Sequence, residues 1–482
     1  MEQFNIWYVV SEAEGLVKSG GLADVAKALP KALKTLGHDV ALVIPCYSLL
    51  PDYDSAEVVL STELECWPRI AYKVKKMDLD GVPVYAIDCP HYFDRSQLYA
   101  ENNHAYSDNA ERFAFFSSAS LDCLPKLGIQ PDIIHCNDWH TGLVPLLIKT
   151  RYGHDRYFDN VRSVLTVHNA LFQGVYSYNE LNIIPEIKLD GMEQIRYNHN
   201  HVGLLRAGLA FADKINAVSP NYAKELLTPL GSHGLHMDFN QRSQDLVGIL
   251  NGCDYDTWNP NADRYIPLQY CSTQASLKKG KSAAKECLQH ENGLEHREVP
   301  MFGMVCRLSH QKGFDYLLPI LETFLRNDVQ LVFMGTGDAN IAAQLREISD
   351  RYPTKFVFIR QYSERLAHLI EAGSDFFLMP SEFEACGLNQ IYSMAYGTLP
   401  IVREVGGLKD TVIDCDENPD SATGFVFKQP DAQALLVTMQ RALIFYLQSP
   451  KQMKQVQIRG MKKDFNWQHS AKEYLKMYSS AF

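Results

Sequence analysis

Hydrophobic residues along this chain occur in short unbroken runs that alternate with segments of helical periodicity. The first two runs cover residues 5–10 and 39–45, and their continuous apolar character is typical of buried strands. Between them the apolar positions of one helical face are Leu22, Val25, Ala26, Leu29, Leu33 and Leu36. Gly37 is a stop signal for this helix, and Pro30 inside the pattern should kink or divide it.

The same alternation continues to about residue 250. A β excursion over residues 56–88 contains a hairpin signal at Asp80-Gly81. A predicted helix near 109–128 leads into the strand DIIHCND, and RSVLTVHN and KINAVS are later strands, each followed by a helix. Strands that alternate with helices in this way predict an α/β fold with a mainly parallel, doubly wound sheet.

A second domain follows a polar, turn-rich segment. We interpret residues 251–260, within NGCDYDTWNPNAD, as a linker, because the strand–loop–helix pattern begins again after it at PMFGMVC. The pattern predicts a first domain over 1–250 and a second over 261–465. A final helix is predicted within 466–482. Its apolar face contains Ala471, Tyr474, Leu475 and Tyr478.

Composition limits the class of protein. The chain has 482 residues, of which 46% are hydrophobic and 21% charged, as in a globular protein of two domains or more. It contains no apolar run of 18 residues and no recognisable signal peptide, and its eleven cysteines form no CxxC pair. We therefore expect reduced thiols, a cytoplasmic location and no membrane partner. The net charge of −11 argues against nucleic acid but permits a small anionic ligand.

Candidate chemistry lies in loops that follow predicted strands. Lys18-Ser19-Gly20-Gly21 precedes the first helix, and Arg307 and Lys312 lie in the corresponding loop of the second domain. Glu384 follows the strand DFFLMPS, and the diglycine Gly406-Gly407 opens another helix. Cations and glycine amides at helix entries are suited to anionic groups, so this arrangement indicates a phosphate-containing ligand. Each motif alone is also compatible with an ordinary turn or a solvated side chain.

Taken together, the motifs resemble those of the glycogen and starch synthases, which are glycosyltransferases with the GT-B fold. The matching segments are KSGGL at 18–22, DWH at 138–140, TVHN at 166–169, VSP at 218–220, NGCD at 251–254, CRLSHQKG at 306–313 and the stretch from Pro380 to Val412. The resemblance implies two Rossmann-like domains that face each other across a cleft. It also implies that the helix within 466–482 returns to the first domain.

The resemblance further implies a reaction. The family transfers glucose from ADP-glucose to the non-reducing end of an α-1,4-glucan such as glycogen, with retention of configuration and with no metal or other cofactor. Arg307 and Lys312 match its phosphate-binding cations, Glu384 its catalytic-site glutamate, and His168 the histidine that faces the sugar. Asp138 matches an aspartate near both substrates. The other donor-binding candidates are Lys18, Gly20, Gly21, Asn169, Cys386, Gly387, Leu388, Gly406 and Gly407.

Acceptor recognition is assigned to fewer residues. Asp138, Trp139 and Asn251 are the candidates, and Trp139 is equally compatible with a glucan-stacking platform and with a buried core residue.

The chain departs from the common family pattern at four positions. Glu382 stands in place of Arg, Ala385 of Pro and Val405 of Thr, and Tyr392 occupies the place of a second Glu in other GT-B families. The first three bear on donor affinity and base preference.

Other functions remain open from the sequence. A related GT-B enzyme would use UDP-glucose or a different acceptor, and an inactive glucan-binding protein would keep the fold without the reaction. A nicotinamide dehydrogenase is a third possibility for two Rossmann-like sheets, but the first strand is not followed by G-x-G-x-x-G. The oligomeric state cannot be derived from the sequence.

Overall fold

The computed structural model describes residues 3–101, 104–188 and 190–482, and the chain divides into two compact units. The first unit contains the residues up to Gly252 together with Trp467–Phe482, and the second contains Cys253–Asn466. Among the described residues, no helix combines the length and the apolar character needed to cross a membrane.

The first unit is built on a nine-stranded sheet with the order β13-β12-β9-β8-β1-β2-β5-β4-β3. Its strands pair in parallel except at one edge, where β4 pairs antiparallel with both β3 and β5. Two small sheets, β6 with β7 and β10 with β11, accompany it. The strands are β1 (Asn5–Val9), β2 (Asp39–Pro45), β3 (Glu57–Leu64), β4 (Ile70–Leu79), β5 (Val82–Asp88), β6 (Ala100–Glu101), β7 (His104–Ala105), β8 (Ile133–Asn137), β9 (Arg162–Val167), β10 (Val175–Ser177), β11 (His201–Gly203), β12 (Lys214–Ala217) and β13 (Leu246–Gly248).

Helices connect the parallel strands of this unit. They are α1 (Gly21–Thr35), α2 (Pro90–Phe93), α3 (Asn109–Leu127), α4 (Leu143–Lys149), α5 (Leu204–Phe211), α6 (Pro220–Glu225) and α7 (His236–Gln241). Of the two predicted effects of Pro30, a kink or a division of the first helix, the division is wrong, because α1 is continuous through Pro30. Pro30 lies on the buried face with Leu29 and Leu33. Packing of that face offsets the backbone hydrogen bond that proline cannot donate.

The second unit contains a six-stranded, fully parallel sheet with the order β16-β15-β14-β17-β18-β19. Its strands are β14 (Met301–Val305), β15 (Gln330–Met334), β16 (Phe356–Ile359), β17 (Phe376–Met379), β18 (Leu399–Arg403) and β19 (Phe425–Phe427). Its helices are α8 (Gln274–Glu291), α9 (Phe314–Leu325), α10 (Ala339–Arg351), α11 (Glu364–Gly373), α12 (Asn389–Ala395), α13 (Gly406–Thr411), α14 (Ala432–Gln448) and α15 (Pro450–Met461). Two parallel α/β sheets confirm the predicted fold class.

The segment interpreted as a linker is largely integrated into the second unit. The indole of Trp258 stacks on the ring of His368, with centroids 3.9 Å apart, and on the ring of Tyr392, with centroids 4.0 Å apart. This stacking attaches residues 253–260 to the second unit, and the polar composition of the segment gave no signal of it.

The last helix, α16 (Trp467–Ser479), belongs to the first unit and packs against α1. Its hydroxyl groups reach the sheet: the Tyr478 hydroxyl lies 2.7 Å from Nδ1 of His135, and the Tyr474 hydroxyl accepts from Nδ2 of Asn216 at 2.7 Å. Both tyrosines are fully buried. The helix is therefore held by apolar packing and by buried hydrogen bonds to strands β8 and β12.

Strand order reverses once in each large sheet. In the first unit β1 lies between β2 and β8, and in the second β14 lies between β15 and β17. Parallel α/β sheets bind their ligands outside the carboxyl ends of the strands at such reversals. The loops that follow β1, β8, β14 and β17 are therefore the expected positions of a ligand site.

Candidate active site

The glycine loop after β1 is organised around a buried carboxylate, Glu12. Its oxygens accept hydrogen bonds from the Ser19 hydroxyl at 3.0 Å, from the Gly20 amide at 3.2 Å and from the Ser19 amide. Burial raises the pKa of Glu12 above its ordinary value. The Gly20 amide therefore has an internal partner. Sequence reasoning did not identify Glu12, because a single acidic residue before a glycine loop carries no specific signal.

Lys18, in the same loop, is a cation held between two carboxylates. Its Nζ lies 2.8 Å from a Glu14 carboxylate oxygen and 2.7 Å from one of Asp24. Burial acts to lower the pKa of Lys18, but the charges of Asp24 and Glu14 outweigh it and raise that pKa above its ordinary value. A Cβ atom added to Gly20 or Gly21 would meet no heavy atom within 4 Å. The space beside both glycines is therefore open.

Asp138 follows β8 in a strained conformation, with φ at 55°. Its Oδ1 accepts a hydrogen bond of 2.7 Å from the His168 amide, so the carboxylate holds the backbone at the end of β9. Burial raises the pKa of Asp138 to about 7. The structure thus brings Asp138 and His168, which are 30 residues apart in sequence, into direct contact.

The imidazole of His168 lies beside the end of β8. Its Nε2 is 2.9 Å from Oδ1 of Asn137, and burial lowers its pKa to about 3. The ring is therefore neutral near pH 7. The next residue, Asn169, accepts a hydrogen bond from the Leu171 amide at 3.0 Å, which shapes the turn after β9.

The two remaining acceptor candidates are buried. Trp139 is only 7% exposed, with its ring centroid 4.1 Å from that of His140 and 5.0 Å from that of Phe113. These contacts favour the interpretation of Trp139 as a core residue. Asn251 is 5% exposed, and its Oδ1 has no hydrogen-bond partner among the residues that the structure describes.

In the second unit, Lys312 and Glu384 form an ion pair between adjacent strand ends. Lys312 lies in the loop after β14 and Glu384 in the loop after its parallel neighbour β17. The Lys312 Nζ donates to Oε2 of Glu384 at 2.6 Å, and the Ser381 hydroxyl donates to the same oxygen at 3.1 Å. Their side chains are only 18% and 12% exposed, respectively. Arg307, in the loop with Lys312, is exposed and forms no ion pair with any residue that the structure describes.

The diglycine before α13 packs directly on the Glu384 loop. A Cβ on Gly406, which has φ of 42°, would lie 1.7 Å from the Glu384 carbonyl oxygen, and one on Gly407 would lie 2.2 Å from that of Cys386. The Gly407 amide donates to the carbonyl oxygens of Glu384 and Ala385, each at 3.2 Å. Close approach of the backbone is therefore enough to require glycine at both positions. The Gly407 amide already donates to acceptors within the protein.

The segment after Glu384 is stabilised by the side chain of Gln390. Its amide donates to the carbonyl oxygens of Cys386 and Gly387, each at 3.1 Å. Gly387 adopts φ of 71°, which favours glycine, and Leu388 immediately precedes α12. The second unit thus brings together Lys312, Glu384, Cys386, Gly387, Leu388, Gly406 and Gly407, and sequence reasoning did not assign a role to Gln390.

We expect Gly406→Ala to lower the free energy of unfolding by about 3 kcal/mol, because its methyl group cannot fit against the Glu384 carbonyl without a shift of backbone. Urea unfolding monitored by circular dichroism measures this loss. Gly21→Ala is the matched control, since the space around Gly21 is open. Equal unfolding free energies for the two variants would contradict the packing described for Gly406.

Asp138→Asn should change stability in a pH-dependent way. The folded-state pKa of about 7 exceeds the ordinary 3.8, so between these values the carboxylate is ionised in the unfolded protein but still protonated in the folded protein. The wild-type protein therefore loses stability as pH rises through this window. The asparagine variant does not titrate. Its unfolding free energy relative to wild type should therefore rise by about 1.4 kcal/mol per pH unit in this window and level off above it.

Urea unfolding at a series of pH values measures that difference. Asp52→Asn, in an exposed turn, controls for the change of side chain. A stability difference between Asp138→Asn and wild type that stays constant from about pH 4 to 8 would contradict the raised pKa.

Both units match families of known proteins. Residues 5–241 match the family model described as the starch synthase catalytic domain, and residues 288–460 match that of group 1 glycosyl transferases. The chain is 65% identical to a glycogen synthase of Vibrio cholerae serotype O1, covering 100% of this chain and 99% of that protein. It is 57% identical to a glycogen synthase of Vibrio atlanticus, covering 99% of each.

A solved structure is also similar over the full length. The catalytic domain of starch synthase IV from Arabidopsis thaliana, bound to ADP and acarbose, superposes with a TM-score of 0.90 at 31% identity, covering 100% of this chain and 99% of that one. With the predicted motifs lying at the carboxyl ends of the strands and with full-length relatives at this level of identity, the chain belongs to the glycogen synthase family of glycosyltransferases.

Proposed function

We propose that this protein transfers glucose from ADP-glucose to the non-reducing end of an α-1,4-glucan such as glycogen, with retention of the α configuration. The observation that carries the proposal is the ion pair between Lys312 and Glu384 at the carboxyl ends of two adjacent parallel strands. It combines a cation for phosphate with a carboxylate for a sugar at one sheet edge. Membership of the glycogen synthase family and the ADP bound in the similar starch synthase support the choice of substrates.

The proposed donor site uses the cations of the second unit. As the bond between the anomeric carbon and the diphosphate breaks, negative charge grows on the departing oxygen, and Arg307 and Lys312 would stabilise it. The exposed Arg307 can bind two phosphate oxygens with its planar guanidinium, whereas Lys312 acts as a point charge. Cys386, Gly387, Leu388, Gly406 and Gly407 would shape the backbone around the nucleotide sugar.

Glu384 would act on the sugar rather than on the nucleotide. In the structure its carboxylate is paired with the ammonium of Lys312. With Lys312 engaged by phosphate, the carboxylate would accept hydrogen bonds from sugar hydroxyls and favour positive charge at the anomeric carbon. The acceptor hydroxyl would attack from the face that the diphosphate leaves. Its proton would pass to the departing phosphate. Attack on that face gives retention, and because the phosphate takes the proton, no second carboxylate is needed.

The first unit would supply the remaining contacts. The neutral imidazole of His168 would face the donor sugar, with Asn169 beside it, and Asp138 would hold the His168 backbone near both substrates. Lys18, Gly20 and Gly21 would add a cation and open space beside the donor. For the glucan, Oδ1 of Asn251, which has no hydrogen-bond partner among the described residues, would accept a hydrogen bond from a sugar hydroxyl, while Trp139 would contribute mainly packing.

Comparison of two donors tests the proposed reaction. With glycogen as primer, we expect glucose transfer from ADP-glucose to exceed transfer from UDP-glucose in kcat/KM. Preference for UDP-glucose would favour the alternative GT-B activity, to which the departures at Glu382, Ala385 and Val405 are relevant. Absence of transfer from either donor, with glycogen binding retained, would identify an inactive glucan-binding protein.

We also propose the domain roles and the location. The first unit would be the acceptor-side domain, and the second the nucleotide-sugar domain. No disulfide joins the cysteines that the structure describes, and this state agrees with a cytoplasmic location.

A further inference from the structure

Asn137, at the carboxyl end of β8, is in contact with His168 but is not one of the candidate residues. We propose that Asn137 is a positioning residue that keeps the imidazole hydrogen of His168 on Nε2, so that Nδ1 accepts a hydrogen bond from a sugar hydroxyl. This inference rests on the proposed function, because it takes His168 to face the sugar. Its structural half, the position of the hydrogen, can be measured without any activity.

The orientation of the Asn137 amide follows from its three neighbours. Nδ2 donates to the carbonyl oxygen of Val9 at 3.0 Å, and Oδ1 accepts from the Tyr8 hydroxyl at 3.1 Å. Turning the amide over would place its oxygen against the Val9 carbonyl oxygen, which cannot donate. The atom that faces Nε2 of His168 at 2.9 Å is therefore an oxygen. All of these groups except His168 are fully buried, so water does not compete for the contacts.

An oxygen at this position determines the tautomer of His168. Because Oδ1 can only accept, Nε2 must carry the hydrogen. Burial keeps the ring neutral, so Nδ1 then carries a lone pair. Nδ1 has no hydrogen-bond partner among the residues that the structure describes. The substrate group that meets it must be a donor such as a hydroxyl, and a carbonyl or phosphate oxygen would be repelled.

Two consecutive residues thus contact His168, one at its backbone and the other at its side chain. Asp138 binds its backbone amide and Asn137 its ring. The other ionisable groups near the ring include His135 and His140, and burial lowers the pKa of each to about 3. Asp138, whose pKa is about 7, is the neighbour that titrates near neutrality, and any pH experiment must control for it.

The first test examines the wild-type protein. Nitrogen-15 spectra of labelled histidine side chains, with His168→Gln used to assign the His168 signals, distinguish the two neutral tautomers and the imidazolium. We expect the Nε2–H tautomer between about pH 6 and 8. The Nδ1–H tautomer or an imidazolium in this range would overturn the proposal, whether or not the protein transfers glucose.

The second test places a charge beside the ring. In Asn137→Asp the carboxylate would favour the imidazolium, and a protonated Nδ1 cannot accept a hydrogen bond. We expect kcat/KM for ADP-glucose, relative to wild type, to fall about tenfold for each pH unit below the new pKa of His168 and to recover above it. The histidine spectra of the same variant should show His168 titrating over the same range.

Asn216→Asp is the matched control. Asn216 is equally buried on β12, the strand on the other side of β9, and it donates to the Thr166 hydroxyl at 3.1 Å without contacting His168. Asp138 still ionises in Asn216→Asp, so this variant shows the pH dependence that Asp138 alone causes. Only a pH dependence of Asn137→Asp beyond that of Asn216→Asp supports the positioning role. The same pH dependence in both variants would overturn it. If wild type shows the Nε2–H tautomer but no transfer, the proposed function fails while the tautomer assignment stands.

Discussion

Lys312→Ala should lower kcat/KM by about 10²–10³, which corresponds to about 2.7–4 kcal/mol of lost transition-state stabilisation. The structure strengthens the physical reason. The ammonium of Lys312 is largely buried and held at 2.6 Å from Glu384, so it is positioned before the substrate arrives. A preorganised cation in a site that is largely shielded from water stabilises growing phosphate charge more than a mobile surface lysine does. Steady-state kinetics with ADP-glucose and glycogen measure the effect.

Lys428→Ala is a suitable control for this experiment. Lys428 also forms a lysine–glutamate ion pair, 2.7 Å from Glu417, but both side chains are 55% exposed. Exposed ion pairs contribute little, so activity and stability should stay near wild type. If Lys312→Ala were as active as Lys428→Ala, Lys312 could not be the cation that stabilises the leaving diphosphate.

Glu384→Gln should lower kcat by about 10²-fold while leaving the affinity for ADP nearly unchanged. Glutamine preserves the shape of the side chain and can still accept from the Ser381 hydroxyl, but it removes the charge that would stabilise an oxocarbenium-like sugar. ADP contains no glucose, so it should not sense this change. Single-turnover kinetics and calorimetric titration with ADP separate the two effects.

A carboxylate on a neighbouring loop provides the control. Glu404→Gln alters the loop before α13, where Glu404 lies 3.8 Å from the ammonium of Lys409, and we expect little change in kcat. A loss of ADP affinity in Glu384→Gln as large as the loss of kcat would instead identify Glu384 as a nucleotide ligand. That result would also change the interpretation of the Lys312 ion pair, since its carboxylate would then bind the nucleotide rather than the sugar.

The architecture could be predicted largely from the chain itself. Apolar runs alternate with helical periodicity because strands buried on both faces and amphipathic helices impose different periods on the sequence. The strand over 39–45 was predicted with its observed bounds. The hairpin at Asp80-Gly81 was also predictable, because both residues adopt positive φ, which aspartate and glycine tolerate. These are local signals, and local chemistry is sufficient to produce them.

The continuity of α1 and the attachment of residues 253–260 could not be predicted in this way. Pro30 is a local disruption that the buried face of the helix overcomes. Trp258 lies in a segment of linker-like composition, yet its ring stacks between His368 and Tyr392, which are distant in sequence. In both cases tertiary packing outweighs the local preference, and local preference is what composition and periodicity report.

By itself, the sequence determined which residue types stand after which strands: lysine and arginine in the loop after β14, glutamate after β17 and histidine after β9. Only the tertiary structure decided what they contact. It joined Lys312 to Glu384 across 72 residues, directed the Asp138 carboxylate to the His168 backbone, and placed Asn137 against the His168 ring. Hydrogen bonds depend on distances and angles between groups that are remote in sequence, and these are set only when parallel strands align their carboxyl ends at one edge of a sheet.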